Sequence, residues 1–213
     1  MKITKFVHSC LLVEMPAPIN RTALFDPGSF STVDVDSLEF LDDIMITHGH
    51  GDHYDLDLIK RLVAKFPNVH ITAPQEVVEA LNEESIPATS AASEGIELFE
   101  SPHEVIAPLI PADPPQEIGV HYLGKLSHPG DSHSFHETKA VLALPVQAPW
   151  GSPNNAVKLG LQLKPKYIIP IHDWHWSDAA REDTYNRMEQ AFSKEGITFI
   201  KPVNGEPFVL DIS

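Results

Sequence analysis

The sequence predicts an α/β fold, because segments with the pattern of strands alternate along the chain with segments that have the pattern of helices. Apolar runs such as Ile44-Met45-Ile46 have the length of buried strands, and the segment 55–66 carries apolar residues at helical spacing. With 213 residues and 42% hydrophobic side chains, the chain is long enough to bury a core. We therefore predict a single domain that spans residues 1–213.

Strands are predicted wherever a short apolar or alternating run is bounded by turn residues. One such run ends at Asp26-Pro27-Gly28, where proline and glycine stop the strand and form a turn. In chain order, the predicted strands span residues 2–7, 9–15, 22–25, 44–46, 69–73, 95–100, 119–126, 140–144, 166–171, 197–202 and 207–212.

Helices are predicted from apolar spacing together with residues that begin or end a helix. Pro74 lies in the first turn of one predicted helix, and Ser152 and Pro153 suit the first positions of another. Gly196 suits the position just after a third, because glycine readily takes the left-handed conformation found there. The predicted helices span residues 55–66 and 74–83, the segment that begins at 153, and residues 178–195.

The segment Thr47-His48-Gly49-His50-Gly51-Asp52-His53 holds four potential metal ligands, namely His48, His50, Asp52 and His53. It lies between a predicted strand and a predicted helix, and α/β sheets place ligand sites at the carboxyl ends of strands. The two glycines allow a tight turn on which alternate side chains converge. Four ligands on so short a turn are more easily shared by two adjacent ions than by one. The alternative is a polar loop that happens to be rich in histidine, in a chain with 12 histidines.

Three further ligand-type residues, His103, Asp131 and His172, each follow a later strand-like run. Because the carboxyl ends of such strands meet at one sheet edge, we expect His48 and these three residues to project from the same edge. Asp26 also follows a strand. It is predicted either to accept hydrogen bonds from the metal-binding turn or simply to form a turn.

The formal net charge of −15 argues against a nucleic-acid partner and against binding to an anionic membrane. The single cysteine, Cys10, excludes a disulfide within the chain. The sequence shows no signal peptide and no apolar run of the ~20 residues that a membrane span requires. We therefore expect a cytoplasmic protein with a small-molecule substrate, and the question of a homo-oligomer stays open.

These motifs resemble those of the metallo-β-lactamase superfamily. The resemblance lies in the Thr-His-Gly-His-Gly-Asp-His turn, in the single His, Asp and His residues on later strand ends, and in the opening segments 6–14 and 24–28. Within that superfamily the chain is similar to the small metal-dependent hydrolases that include relatives of L-ascorbate-6-phosphate lactonase. The resemblance implies a four-layer αββα sandwich, in which two mixed β-sheets carry helices on their outer faces.

The resemblance also implies a centre of two divalent metal ions. Zinc is the first expectation, and manganese and iron are the alternatives, since histidine and carboxylate ligands suit all three. His121 and His128 compete with His103 as the ligand from the middle of the chain, although His121 lies within a predicted strand and His128 crowds Asp131. Carried over to matching positions, the ligands of the first ion would be His48, His50 and His103, those of the second Asp52, His53 and His172, and Asp131 would bridge both ions.

The implied activity is that of a metal-dependent hydrolase, in which a metal-activated hydroxide cleaves a small-molecule ester, lactone or phosphoester. Asp52 would bind one ion and accept a hydrogen bond from the nucleophile. His133 and His175 are candidate proton donors to the leaving group, and the alternative for each is an exposed or structural histidine. Two other functions stay open, a di-iron redox protein on the same fold and a metal-binding regulatory protein without catalysis.

Three other features near the expected site have no settled role in the sequence. The proline-rich segment 104–118 begins directly after a candidate ligand, so it either rims the site or forms a surface excursion. Trp150, Trp174 and Trp176 flank expected site loops, where they would wall an apolar pocket or close the core. His8 lies between two predicted strands, and the sequence gives it no role.

Overall fold

A computed structural model describes residues 1–212 of the chain. The chain divides into two compact units, the first made of Met1–Ala92 with residues 203–212 and the second of Ser93–Pro202. Within the described residues, each unit contains one six-stranded mixed β-sheet and two α-helices. The single domain over residues 1–213 stays a prediction. No helix in this described part combines the length and the apolar composition needed to cross a membrane.

The strands of the first unit span Lys2–Lys5 (β1), Leu11–Met15 (β2), Arg21–Phe25 (β3), Asp43–Met45 (β4), His70–Thr72 (β5) and Pro207–Val209 (β12). Their order in the sheet is β12-β1-β2-β3-β4-β5. Strands β3, β4 and β5 are parallel, whereas β2 is antiparallel to both β1 and β3. The carboxyl ends of β1, β3, β4 and β5 therefore lie at one edge of this sheet.

The helices of the first unit span Leu56–Lys65 (α1) and Gln75–Glu83 (α2), close to the predicted limits. Helix α1 begins where the carboxylate of Asp55 accepts hydrogen bonds from the backbone N–H groups of Asp57 and Leu58. Such a cap stabilises a helix by roughly 1 kcal/mol. Because the cap fixes the first turn of α1, it also fixes how the preceding loop enters the helix. The core of the unit includes Leu24, Ile44, Ile59, Leu62, Ile71, Val77 and Leu81.

The strands of the second unit span Ile96–Phe99 (β6), Gly119–Tyr122 (β7), Leu126–His128 (β8), Val141–Pro145 (β9), Tyr167–Ile171 (β10) and Thr198–Phe199 (β11). Their order in the sheet is β11-β10-β9-β8-β7-β6. Strands β8 to β11 are parallel, and β7 is antiparallel to both β6 and β8. Strand β6 thus has the direction of β8 and β10, and the carboxyl ends of these three strands lie at one edge.

One predicted strand of the second unit is wrong, because residues 119–126 form a hairpin rather than a continuous strand. Strand β7 ends at Tyr122, and Leu123 and Gly124 then adopt left-handed φ angles of 52° and 61°. The N–H of Lys125 donates to the carbonyl oxygen of Tyr122 at 2.9 Å. This is the two-residue turn whose twist matches that of an antiparallel strand pair.

The helices of the second unit span Pro153–Leu163 (α3) and Asp178–Ser193 (α4). As predicted, Ser152 caps α3 by accepting a hydrogen bond from a backbone N–H in its first turn. A Cβ on Gly160 would lie 2.6 Å from the ring of Phe192, so the absence of a side chain allows α3 to approach α4 closely. The core of the unit includes Leu142, Leu144, Ala156, Leu159, Ile168, Tyr185, Met188 and Phe192.

The ligand-type residues that follow strands belong to two different sheets, which corrects the expectation of one shared sheet edge. His48 follows β4 of the first unit, whereas His103, Asp131 and His172 follow β6, β8 and β10 of the second. A local pattern shows where a strand ends, but pairing between distant segments decides which sheet it joins. Each sheet therefore carries its own set of ligand-type residues at the carboxyl ends of its parallel strands.

Candidate metal centre

The first set of candidate ligands lies on the turn between β4 and α1. The N–H of His53 donates to the carbonyl oxygen of His50 at 2.9 Å, which folds this turn back on itself. A ligand nitrogen of His48 lies within 4.8 Å of one on His50, and His48 and His53 make an approach within the same limit. The turn thus brings His48, His50 and His53 together, with Asp52 between the last two in sequence.

The segment after β3 packs directly against this turn. A Cβ on Gly28 would lie 1.9 Å from the carbonyl oxygen of Asp52, so the close approach requires glycine at this position. The N–H of Ser29 donates to the carbonyl oxygen of Gly51 at 2.8 Å. The backbone of the ligand turn is therefore held from the neighbouring parallel strand as well as by its own hydrogen bonds.

Asp26 is the polar centre of the first set. Its buried carboxylate accepts hydrogen bonds from the N–H of Thr47 at 2.8 Å, from the hydroxyl of Thr47 at 2.9 Å and from Nδ1 of His53 at 2.8 Å. Of the two roles that the sequence leaves open for Asp26, the structure shows the bonding to the ligand turn. Its φ angle of 44° is left-handed, a conformation that costs a residue with a side chain of the order of 1 kcal/mol or more.

These contacts fix which ring nitrogens are protonated. A carboxylate accepts, so Nδ1 of His53 carries a proton, and in the neutral ring Nε2 holds the lone pair. The hydroxyl of Thr47 gives its proton to Asp26, so it accepts from Nδ1 of His48, 3.1 Å away. His48 and His53 therefore share the tautomer in which Nε2 is the available metal ligand.

His8 is a member of this cluster that sequence reasoning missed. It is buried, and its Nε2 lies 3.1 Å from Oδ2 of Asp52. Its ring also meets the ring of His53 edge-on, with centroids 5.3 Å apart. The signal that could have found it is its place just after β1, which has the same direction as β3 and β4. With a φ angle of 69°, His8 adopts the left-handed conformation, as Asp26 does.

The second set of candidate ligands surrounds Asp131. Its Oδ2 lies 3.0 Å from Nε2 of His172 and 3.8 Å from Nε2 of His103. Nδ1 of His103 donates to the carbonyl oxygen of Glu104 at 2.7 Å, and Nδ1 of His172 donates to that of Gln147 at 2.5 Å. Three separate loops thus place two imidazoles around one carboxylate.

The chemistry of this donor set fits a cation. A carbonyl oxygen can only accept, so Nδ1 of His103 and of His172 is protonated, and in the neutral ring Nε2 holds the lone pair. Nε2 of each ring faces the carboxylate of Asp131, and such acceptors repel one another unless a positive charge, either a proton on Nε2 or a metal ion, lies among them. Imidazole nitrogen and carboxylate oxygen are also the donor types that zinc, manganese and iron bind.

The competitors of His103 are engaged elsewhere in the second unit. His121 lies within β7, where its Nδ1 is 2.9 Å from the hydroxyl oxygen of Ser127 and its ring stacks on Phe99. Nδ1 of His128 accepts a hydrogen bond from the N–H of Gly130 at 3.4 Å. Nε2 of His103 lies 3.8 Å from the Asp131 carboxylate, and His103 remains our candidate ligand.

The two candidate proton donors lie in different surroundings. Nε2 of His133 donates to the carbonyl oxygen of Pro145 at 2.8 Å, which is the tautomer opposite to that of the candidate ligands. Burial lowers the pKa of His133, so its ring is neutral at pH 7. His175 is exposed, and its ring lies parallel to that of His172 with centroids 6.2 Å apart.

Two of the three tryptophans take the two roles left open by the sequence, whereas Trp174 is exposed and contacts the ring of His175. Trp176 packs against the second core and meets Tyr185 edge-on at 6.3 Å. Trp150 contacts both His133 and His172, with ring centroids 5.1 and 5.8 Å apart. Trp150 therefore flanks a candidate ligand, whereas Trp176 closes the core.

Each unit has a surface cavity, and the two differ in their distance from the candidate ligands. A polar cavity of about 290 Å³ lies beside His133 and Trp150, with Glu104 and Lys158 also in its wall. A larger one of about 670 Å³ in the first unit is lined by Met1, Asn20, Thr22, Asp42 and other residues at the amino ends of the parallel strands. The larger cavity thus lies at the sheet edge opposite the ligand turn.

The fold is that of the metallo-β-lactamase proteins. The metallo-beta-lactamase fold protein YhfI of Bacillus subtilis superposes with a TM-score of 0.68 at 13% identity, covering 97% of this chain and 98% of its own. Igni18, a metallo hydrolase of the archaeon Ignicoccus hospitalis, gives a TM-score of 0.73 at 17% identity and covers 100% and 99%. The predicted αββα fold class is therefore confirmed.

The chain belongs to the beta-lactamase superfamily, because the model of the beta-lactamase superfamily domain matches residues 2–172. In sequence it is similar to Protein Rv0786c of Mycobacterium tuberculosis, with 30% identity over 206 residues, 89% of this chain and 92% of that protein. The predicted resemblance to this superfamily is thus confirmed.

Proposed function

We propose that the protein is a metal-dependent hydrolase that binds two divalent ions and cleaves an ester, lactone or phosphoester bond of a small molecule. The proposal is supported by the ligand-type residues of the two units and by the family to which the chain belongs. The proposed ligands are His48, His50, Asp52, His53, His103, Asp131 and His172.

The observation that carries the proposal is the common state of four imidazoles. His48, His53, His103 and His172 each give the Nδ1 proton to a fixed oxygen, so Nε2 is the nitrogen that would bind a metal. In the second unit, Nε2 of His172 and of His103 lie 3.0 and 3.8 Å from the same carboxylate oxygen of Asp131, an arrangement that suits a shared cation. Zinc is the metal that we propose for five nitrogens and two carboxylates, and manganese or iron would also suit them.

Bound divalent ions would lower the pKa of a water molecule and polarise the substrate bond. The chain's own contribution begins with Asp52, which we propose as the acceptor of a hydrogen bond from the attacking water. Nε2 of His8, 3.1 Å from Oδ2 of Asp52, would hold that carboxylate in place. The leaving group also needs a proton as it departs.

Of the two candidate proton donors, we propose His175. It is exposed beside His172 and can exchange protons with solvent. His133 stays a prediction, but its Nε2–H is given to the Pro145 carbonyl and burial lowers its pKa, which suits a structural role. Trp150 would present an aromatic wall to the substrate next to His172.

The test begins with metal-free protein. We expect it to take up about two Zn²⁺ per chain and then to hydrolyse members of a panel of lactones, carboxylic esters and phosphoesters. Asp131→Ala should lower the rate by about 10³-fold or more. Asp183→Ala, which removes an exposed carboxylate on α4, is the matched control and should keep the wild-type rate.

The outcomes separate the three functions that the sequence leaves open. Protein that binds no metal under any condition contradicts the proposal. Full metal uptake without turnover of any substrate would indicate a regulatory metal-binding protein. Iron uptake accompanied by oxygen consumption would indicate redox chemistry on this fold.

A further inference from the structure

Glu104 joins two of the candidate ligand loops through three different groups. Its carbonyl oxygen accepts the Nδ1 proton of His103 at 2.7 Å, and its own N–H donates to the carbonyl oxygen of Asp131 at 3.0 Å. Its Oε1 accepts hydrogen bonds from the N–H of His133 at 2.9 Å and from the hydroxyl of Ser134 at 2.7 Å. One residue thus contacts the loop after β6 and the loop after β8.

The far end of the segment 104–118 is attached to the same turn. Oε2 of Glu117 accepts the N–H of Asp131 at 2.9 Å. The peptide groups on either side of Asp131 are therefore held by Glu104 and Glu117, the residues that flank the irregular stretch 105–116. That stretch is largely exposed, whereas its two ends are fixed to a ligand turn.

We propose that Glu104 is a positioning residue that sets the separation of His103 and Asp131 for metal binding, an inference that rests on the proposed function. Nε2 of His103 and Oδ2 of Asp131 lie 3.8 Å apart. Each atom would have to come within about 2.0–2.2 Å of a shared ion, and such a site tolerates displacements of roughly 0.5 Å. The contacts of Glu104 restrict this separation, because Glu104 bonds to the ring of His103 and to the backbone carbonyl of Asp131.

The side chain of Glu104 supplies the part of this link that a variant can remove. Without the carboxylate, the N–H of His133 and the hydroxyl of Ser134 lose their acceptor, and the turn is held to the His103 loop by the backbone bond alone. The carboxylate holds the turn rather than a ligand atom, so its loss should cost less than the upper part of the roughly 10–100-fold range that is typical for a direct partner of a metal ligand. We therefore expect Glu104→Ala to weaken the binding of one of the two ions by roughly 10-fold.

The experiment measures Zn²⁺ binding to metal-free protein by competition with a chelator of known affinity. Glu104→Gln keeps an oxygen that can accept both hydrogen bonds, so it should bind both ions with nearly wild-type affinity. Ser134→Ala removes one of the two donors and should weaken one ion by a few-fold. Glu100→Gln, at an exposed glutamate just before the same loop, is the matched control and should equal the wild type.

Thermal unfolding of the same metal-free proteins separates positioning from a general loss of stability. The inference holds if Glu104→Ala, folded by circular dichroism, loses affinity for one ion and Glu104→Gln restores it. It is overturned if Glu104→Ala binds both ions as tightly as the wild type. If Glu104→Ala does not fold, Ser134→Ala decides, and wild-type affinity in that variant overturns the inference.

Failure of the inference and failure of the proposed function give different results. A wild-type protein that takes up no Zn²⁺ contradicts the function, and with it the premise of the inference. A wild-type protein that binds two ions and hydrolyses its substrate, beside an unchanged Glu104→Ala, contradicts the role of Glu104 alone.

Discussion

The two sets of candidate ligands are built in opposite ways. In the first unit, one short turn carries His48, His50, Asp52 and His53, and the buried carboxylate of Asp26 braces it through three hydrogen bonds. In the second unit, three ligand residues come from three loops, and their support is divided among several residues. The carbonyl oxygens of Glu104 and Gln147 orient the two imidazoles there.

The two sets differ in how many contacts are lost when one supporting side chain is removed. A turn that one carboxylate contacts at three points loses three contacts at once when that carboxylate is removed. A set whose support is divided among several residues loses fewer contacts when one of them is removed. We therefore expect single substitutions to be more damaging in the first unit, and the following predictions test that expectation in order of decreasing effect.

The largest effect is expected for Asp26→Ala. It leaves two donors of Thr47 and one of His53 buried without their carboxylate acceptor, and breaking a buried charged network costs about 3–5 kcal/mol. Urea unfolding of metal-free protein measures the loss. Glu39→Ala, at an exposed carboxylate in the same unit, should change stability by less than about 0.5 kcal/mol. Equal stability of the two variants would contradict the expectation that the Asp26 carboxylate stabilises the ligand turn.

The next effect concerns the second contact of the ligand turn. His8→Asn shortens the reach toward Asp52 and should lower the rate of substrate hydrolysis by roughly 10–100-fold, because the carboxylate loses its orientation. Steady-state kinetics on zinc-loaded protein measures this change. A variant that keeps the wild-type rate while binding zinc normally would show that His8 does not contribute to the orientation of Asp52.

A smaller effect is expected in the second unit for Tyr185→Phe. The hydroxyl of Tyr185 donates to Oδ2 of Asp173, the residue after a candidate ligand, at 2.5 Å, and Arg181 also contacts that oxygen at 3.1 Å. Because Arg181 remains, we expect a loss of about 1–2 kcal/mol in the free energy of unfolding. Zinc affinity should change by less than about 10-fold, below the loss expected on removing a direct partner of a ligand. A loss of stability as large as that of Asp26→Ala would abolish the contrast between the units.

The smallest effect is a pH dependence that belongs to the second unit. Burial, and after it the charge of Lys139, lowers the pKa of His121, while Glu137 and Glu97 oppose this shift. The folded protein thus binds a proton less readily than the unfolded chain, whose histidine pKa is about 6.5, so stability is lost as the pH falls below that value. His121→Gln should show a smaller drop in urea midpoint between pH 7.5 and pH 5.5. An unchanged or larger drop would show that His121 does not contribute to it.

The ligand turn of the first unit was predictable because its information is local. The motif, the strand before it and the capped helix after it all lie between Ile44 and Lys65, so spacing alone indicated the element and its chemistry. The pairing of Asp26 with this turn was one of two expectations, because a strand-ending aspartate has a local role as well. Contacts across 21 and 27 residues decided between them.

Several features of the second unit could not be predicted from local sequence patterns. The hairpin at Leu123-Gly124 reads as one alternating strand, because alternation continues across a turn of two residues. Glu104 and Glu117 look like ordinary polar residues of an irregular loop, and their contacts lie 14 to 30 residues further along the chain. The allocation of ligand residues to two sheets likewise depends on strand pairing that no local pattern encodes.

Left-handed backbone at His8, Asp26 and His172 has a consequence for anyone who engineers this protein. Glycine would adopt these φ angles without strain, and at His8 and His172 that relief offsets part of the stability lost with the side chain, so a search for thermal stability alone tolerates glycine there more readily than at Asp26. The same exchange would delete a side chain that touches the candidate metal chemistry. Stabilised libraries of this protein should therefore hold these three positions fixed and look for improvement on the outer helices.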